Sequence, residues 1–244
     1  MTLLAVKDLV SGYGKLKVLH GISMTVDEGE IVSVLGANGA GKTTFLRTVS
    51  GILPTWSGSV TFSGKSLVSR SIEGRAAEGI GHLPEGRGVF QNLTVRENLN
   101  LGGVLRKDCV ANIKRDTDAL LDLLPVLREK LYDPASSLSG GQQQMLSLAR
   151  AMLSRPRLLM VDELSFGLAP KIFDMLFALV SRFRNESRTA FLLVEQNARV
   201  LDFSDRTYVL KQGMNDIEGP SPVVRASTNL LRSYLGHAVL EDGN

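Results

Sequence analysis

Apolar positions in this chain follow two rhythms that alternate along its length. Ile31-Val32-Ser33-Val34-Leu35, Leu158-Leu159-Met160-Val161 and Ala190 to Val194 are apolar at nearly every position, which predicts strands covered on both faces of a parallel sheet. Leu3 to Val10 and Val18 to Val26 alternate more loosely, with Ser11-Gly12-Tyr13-Gly14 read as the turn between them. Ser59 to Phe62 and Gly79 to Leu83 read as short strands, and Arg206 to Leu210 as the last strand. Helical spacing takes over from Thr44 to Val49, from Thr94 to about Ser154, and from Pro170 to about Arg184. Within these stretches Leu120, Leu121, Leu123 and Leu124 form one stripe. Met145, Leu148, Ala149 and Met152 form a second, and Phe173, Leu176, Phe177 and Val180 a third. Thr94 and Glu97 have the spacing of a capping box. The pattern predicts one α/β domain, a mixed sheet core with N-terminal antiparallel strands and an inserted helical subdomain. Its α/β core comprises 1–85 and 156–220, the helical insertion 86–155, and a helical tail 221–244, its helix ending near Gly236.

At 244 residues the chain can bury about 70% or more of its unfolded surface without a disulfide or metal staple. Twenty-eight Lys and Arg against 25 Asp and Glu leave a net charge of +3, too balanced for a nucleic-acid footprint. The single Cys109 cannot form an internal disulfide and has no companions for a zinc site, and His20, His82 and His237 share no spacing. Lys7 and Asp8 interrupt the apolar N-terminus, and no uncharged apolar run reaches a membrane-spanning length. The expectation is a soluble protein that reaches a membrane only by docking onto other polypeptides.

The chemistry concentrates between the first buried strand and the helix after it. Gly36-Ala37-Asn38-Gly39-Ala40-Gly41-Lys42-Thr43 fits G-x-x-x-x-G-K-[ST] in the strand–loop–helix context that gives the pattern its meaning. Glycines without Cβ atoms let backbone N–H groups turn inward onto polyphosphate oxygens. Lys42 adds a charge that can reach the β and γ phosphates, the Thr43 hydroxyl can ligate Mg²⁺, and Thr44 continues the helix whose positive dipole end faces the anion. A nucleoside triphosphate is the expected ligand. Tyr13 lies just upstream; as a turn residue it would be half buried, as an exposed ring it could stack on a purine, and spacing does not choose. Ser139-Gly140-Gly141-Gln142 before a helix is a second anion-seeking tip. The strand at Leu158 ends in Asp162-Glu163, placed to assist Mg²⁺ and to face the terminal phosphate, the alternative being an ion pair within the fold. Another polar cluster, Glu195-Gln196-Asn197, ends the following strand.

Taken together, the phosphate loop, Leu138-Ser139-Gly140-Gly141-Gln142 and the strand ending in Asp162-Glu163 resemble the Walker A, signature and Walker B elements of an ABC-type ATPase. More narrowly, Pro84-Glu85-Gly86-Arg87, Gly167-Leu168-Ala169-Pro170 and Val194-Glu195-Gln196-Asn197-Ala198 are similar to the ATP-binding subunits of branched-chain amino-acid importers. The resemblance implies head-to-tail pairing with a second ATPase subunit, identical or related. Each ATP would lie between one subunit's loop and Ser139 and Gly141 of the other. It further implies Tyr13 stacking on adenine, Thr43 and Asp162 on the magnesium side, and Glu163 as the base that orients water. The loop from Glu85 to Phe90 would sense the γ-phosphate and face the membrane subunits; Phe90 could dock there or pack in the core. The implied partners are two membrane permeases and, indirectly, a periplasmic or extracellular solute-binding protein, with the chain peripheral on the cytoplasmic face of the inner membrane.

Three positions depart from most ABC ATPases, which carry Gln at Glu85, Asp at Ala169 and His at Gln196; the narrower branch shares all three changes. An amide at Gln196 can hydrogen-bond a phosphate oxygen but carries no imidazolium charge, so weaker or asymmetric hydrolysis is expected. Leu164 stands where the branch usually has Pro, which would loosen the following loop. Related urea or amide importers, a soluble ABC ATPase acting on nucleic acid or ribosomes, and a phosphate-loop kinase are the competing readings.

Overall fold

The computed structural model describes residues 1–86 and 88–227. Two long strands, β1 (Thr2–Tyr13) and β2 (Leu16–Asp27), pair antiparallel, and β3 (Ile31–Leu35) leads through the phosphate loop into helix α1 (Lys42–Ser50). Next come β4 (Ser57–Phe62), the two-residue β5 (Lys65–Ser66), α2 (Ile72–Ala77) and β6 (Ile80–Leu83). The predicted helical insertion is α3 (Val95–Gly102), α4 (Val110–Leu123), α5 (Pro125–Glu129) and α6 (Gly140–Leu153). The chain then runs through β7 (Leu158–Asp162), α7 (Pro170–Ser187), β8 (Ala190–Glu195), β9 (Arg206–Lys211), β10 (Met214–Pro220) and α8 (Ser221–Ala226).

Two sheets result, an antiparallel one in the order β2-β1-β4-β5 and a mixed one in the order β10-β9-β3-β8-β7-β6. Strands β3, β6, β7, β8 and β9 are parallel, and β10 folds back antiparallel on β9. Side chains of the central strands divide by the two-residue period: Val32, Val34, Met160 and Leu192 face the antiparallel sheet and α1. Ile31, Leu35, Leu159, Val161 and Leu193 face the helical side, where Phe173 and Phe177 stack at 4.2 Å. Every residue of β3, β7 and β8 is buried, as a continuous apolar run requires.

Several expectations need correction. Tyr13 belongs to the end of β1 and pairs with Leu16; the turn is only Gly14-Lys15, because Gly12 lies where an added Cβ would strike the Leu16 carbonyl oxygen at 1.9 Å. Arg206 to Leu210 is not the last strand, since β10 follows as a solvent-facing edge. Helix α7 runs to Ser187 rather than to Arg184. The Leu164 side chain, which stands where Pro is usual, is buried in the core with 1% exposure. The expected tail helix is seen only as α8, and the stretch toward Gly236 lies outside the described residues. The capping box at Thr94 and Glu97 is formed as predicted.

Candidate functional site

The strand order explains why residues far apart in sequence meet. β8 lies between β3 and β7, so the carboxyl ends of all three open side by side, with Leu35 opposite Glu195 and Asp162 opposite Val194. The phosphate loop, Asp162-Glu163 and Glu195-Gln196 therefore share one edge of the sheet, the position where open α/β sheets bind ligands.

The loop backbone is built for close approach. Gly41 has φ +101°, and a Cβ at Gly36 would lie 2.6 Å from the Leu210 carbonyl oxygen. Lys42 is 5% exposed and its Nζ donates to the Gly36 and Ala37 carbonyl oxygens at 2.8 and 3.2 Å. Burial lowers its pKa, while Glu163, Asp162, Glu195 and Glu85 oppose that shift. Ala37, Asn38 and Gly39 are exposed at the mouth, Ala40 and Thr44 are buried behind it, and Thr43 is half-buried. A cleft of about 320 Å³ lies beside the loop and is bounded by Asn38, Gly39, Lys42, Thr43, Glu85, Glu163, Phe166 and Gln196.

Glu163 is 8% exposed and held with φ +50°, a left-handed conformation that is costly for a side chain of this size. Its N–H donates to the Val194 carbonyl at 2.9 Å, its Oε1 accepts from Gln196 Nε2 at 2.5 Å, and Lys42 Nζ is 3.9 Å from the same oxygen. Glu163 thus makes an ion pair with Lys42, whereas Asp162 has a buried Oδ1 with no hydrogen-bond partner. Burial raises the Asp162 pKa against a hydrogen bond from Thr43. A buried, orphaned carboxylate oxygen beside a threonine hydroxyl suits a cation that completes its shell with phosphate oxygens and water, as Mg²⁺ does. No cluster of three or more His, Cys, Asp or Glu side chains able to hold a metal alone exists among the described residues.

The sequence marks Glu195 only as part of a polar cluster at a strand end and does not mark Ser165. Glu195 is 2% exposed, and its carboxylate accepts from Ser165 N–H at 3.1 Å and Ser165 Oγ at 2.6 Å. The available signal was a carboxylate at the last position of a fully buried strand. Burial pushes its pKa from 4.5 up to about 7 against those two bonds. Because the folded chain holds the acid form more firmly than the unfolded chain, this group contributes stability below about pH 4.5 that is lost as pH rises toward 7. Glu195→Gln should remove that component, seen as a flatter Tm profile across this window; an unchanged profile would contradict the assignment.

The second anion-seeking tip stands elsewhere. Ser139 caps α6: its Oγ accepts from Gln142 N–H at 3.4 Å, and Gln142 Oε1 accepts from Ser139 N–H at 2.9 Å. Gln143 Nε2 ties the preceding turn to α6 through the Ala135 and Leu138 carbonyls. Ser139 is exposed, Gly140, Gly141 and Gln142 are half-buried, and none of the four lines the cleft beside Lys42. Glu85 is exposed at the cleft edge, and Phe90 is 55% exposed with Arg150 over its ring, so it is not a core residue. A larger cleft of about 1,010 Å³ opens at the amino-terminal edge of the sheet. Its Arg155, Arg157 and Arg184 are engaged by Asp116, Glu28 and Asp205, so its size does not carry the chemistry.

A phosphate loop, a strand ending in two carboxylates and a capped tip on an inserted helical subdomain define an ABC-type ATPase. The chain belongs to the ABC transporter family, whose sequence pattern matches residues 19–165. It is 42% identical over 226 residues to the high-affinity branched-chain amino acid transport ATP-binding protein BraG of Pseudomonas aeruginosa, spanning 92% of this chain and 95% of that one. The probable branched-chain amino acid transport ATP-binding protein LivF of Archaeoglobus fulgidus is 36% identical, over 84% and 86% of the two chains. The lipopolysaccharide export ATP-binding protein LptB of Haemophilus influenzae is 31% identical, over 97% and 98%. Among solved structures, an ATP-binding cassette of an ABC transporter in its ADP conformation superposes with a TM-score of 0.85 at 25% identity, covering 97% and 99%.

Proposed function

We propose that the chain is the ATP-binding and ATP-hydrolysing subunit of an importer for branched-chain or similar hydrophobic amino acids. The observation that carries the ATPase reading is the meeting of Lys42, Thr43, Asp162, Glu163 and Gln196 at adjacent strand ends. The 42% identity to BraG favours the solute class over the exporter reading suggested by the 31% relatives.

In this reading Gly36 to Thr44 cradle the triphosphate, with Lys42 turning from the loop carbonyls to the β and γ phosphates. Thr43 and Asp162 hold Mg²⁺, which would neutralise charge developing on the transferring phosphate. Glu163 accepts a proton from the attacking water, and the Gln196 amide fixes the carboxylate that does so. Glu85 reports the state of the γ-phosphate to the loop ending at Phe90. Ser139, Gly140, Gly141 and Gln142 face away from their own cleft to close the site of a second ATPase subunit. ATP then favours the closed pair and hydrolysis the open one, a ligand-driven population shift passed to two membrane permeases. No helix among the described residues is long and apolar enough to cross a membrane. The place of action is the cytoplasmic face of the membrane, with a solute-binding protein acting from the other side.

Tyr13 is 40% exposed at the end of β1, its hydroxyl accepting from Arg47 at 3.3 Å. Its ring is the proposed adenine platform, so Tyr13→Ala should weaken ATP binding roughly 5- to 150-fold in a nucleotide titration. Unchanged affinity would remove the ring from the site.

The reading as a whole is tested by purifying the chain with its membrane-bound companions and measuring ATPase stimulation by the co-purified solute-binding protein. Stimulation by leucine, isoleucine or valine supports the importer; stimulation by urea or an amide instead assigns another solute. Recovery with ribosomes and without permeases would overturn it.

A further inference from the structure

We propose that Glu195 and Ser165 form a latch that positions Glu163 for hydrolysis, making Glu195 a positioning residue for the reaction; the inference rests on the ATPase reading above. Three links join the segment Glu163 to Ser165 to the end of β8. The Glu163 N–H donates to the Val194 carbonyl at 2.9 Å. Gln196 Nε2 donates to Glu163 Oε1 at 2.5 Å, and Ser165 donates twice to Glu195, from N–H at 3.1 Å and Oγ at 2.6 Å.

The two side-chain links differ in what they need. The Gln196 bond involves the group that is to take a proton, so it can hold Glu163 only while leaving it reactive. The Glu195 bonds act two residues farther on, at the 2%-exposed end of a fully buried strand, and are independent of the reacting atoms. Glu163 requires such a fixture because its backbone sits at φ +50°, a conformation that persists only when its surroundings over-determine it. Leu164, buried at 1%, anchors the middle of the segment through packing, and Ser165 fixes its far end. Beyond Ser165 the chain emerges at once: Phe166 is 67% exposed and borders the cleft beside Lys42. Without the latch, the turn carrying Glu163 and Phe166 would keep the Val194 and Gln196 bonds at Glu163 and the packing of Leu164 but lose the bonds that fix its far end.

The test uses the assembled transporter, with kcat and KM for ATP measured beside Tm. Glu195→Ala should lower kcat about 10- to 100-fold, the usual effect of removing a group that orients a reactive one, with KM changed less than about threefold. Glu195→Gln keeps one acceptor for the Ser165 N–H and offers an N–H to its hydroxyl, so it should restore kcat to within about threefold. Ser165→Ala, which keeps the carboxylate and serves if Glu195→Ala does not fold, should lower kcat about fivefold. In a Glu163→Gln background Glu195→Ala should cause no further loss, because residues acting as a unit are non-additive. A fall in Tm with kcat unchanged, or an equal loss in Glu195→Gln and Glu195→Ala, overturns the latch. If Glu163→Gln itself leaves turnover unchanged, the catalytic reading fails first and the latch with it.

Discussion

Glu163→Gln lowers ATP turnover by about 10²- to 10⁴-fold while nucleotide affinity stays within a few-fold, the range over which a positioned general base contributes. Its carboxylate stands at the mouth of the cleft, 3.9 Å from Lys42 and 2.5 Å from the Gln196 amide, at the end of the strand beside β8. A glutamine has the same shape and an oxygen that still accepts from Gln196, but it cannot take a proton from water. Binding should survive because the groups that grip phosphate, Lys42 and the loop N–H donors, are untouched. Phosphate release and equilibrium nucleotide binding, measured on the same preparation, separate the two quantities. Turnover like that of the unaltered protein would remove Glu163 from the role of base.

The second large effect concerns pairing. Ser139→Trp and Ser139→Asp should each weaken ATP-dependent association of the ATPase subunits more than about 100-fold, leaving ATP affinity of the isolated chain unchanged. Ser139 is exposed at the tip of α6 and outside its own cleft, so neither substitution touches the Lys42 loop. The two variants divide the possible causes. Tryptophan removes the helix cap, a loss of about 1 kcal/mol, and adds bulk. Aspartate preserves the cap but sets a negative charge where a polyphosphate is expected, and like charges facing each other across an interface cost several kcal/mol. Sedimentation with and without ATP reads the result. Association retained in both variants would mean that the tip does not meet the nucleotide.

What the sequence could and could not reveal follows from the range over which each signal acts. The phosphate loop was legible because its eight residues are contiguous and its flanking strand and helix announce themselves by period. The buried strands were legible for the same reason. β10 was not, since Met214 to Pro220 shows only a partly exposed edge, with Asn, Asp and Glu among its seven residues and no apolar run. Helix α2 is six residues long with Ile72 its only large apolar side chain, so only Ser71, whose hydroxyl accepts from Gly74 N–H at 3.2 Å, marks its start. The two glycines flanking Tyr13 read as a turn, whereas its pairing with Leu16 and the close approach of Gly12 to Leu16 carry the strand through it. In the site, the Gln196–Glu163 and Ser165–Glu195 bonds join residues 33 and 30 positions apart. They exist because β7 and β8 pair in parallel with Asp162 opposite Val194, a register that no local pattern encodes.

The proposed motor rests on one ATP held between Lys42 of one subunit and Ser139 of its neighbour. Site-directed crosslinking tests it most directly: Asn38→Cys in the loop of one subunit and a cysteine at the Ser139-equivalent position of its companion, with Cys109 replaced by Ala. A hydrolysis-blocked pair carrying Glu163→Gln should form the crosslink rapidly with Mg²⁺ and ATP and slowly without nucleotide. If the crosslink forms no faster with ATP, with the natural companion subunit present, the two halves do not close on a shared nucleotide and the account is wrong.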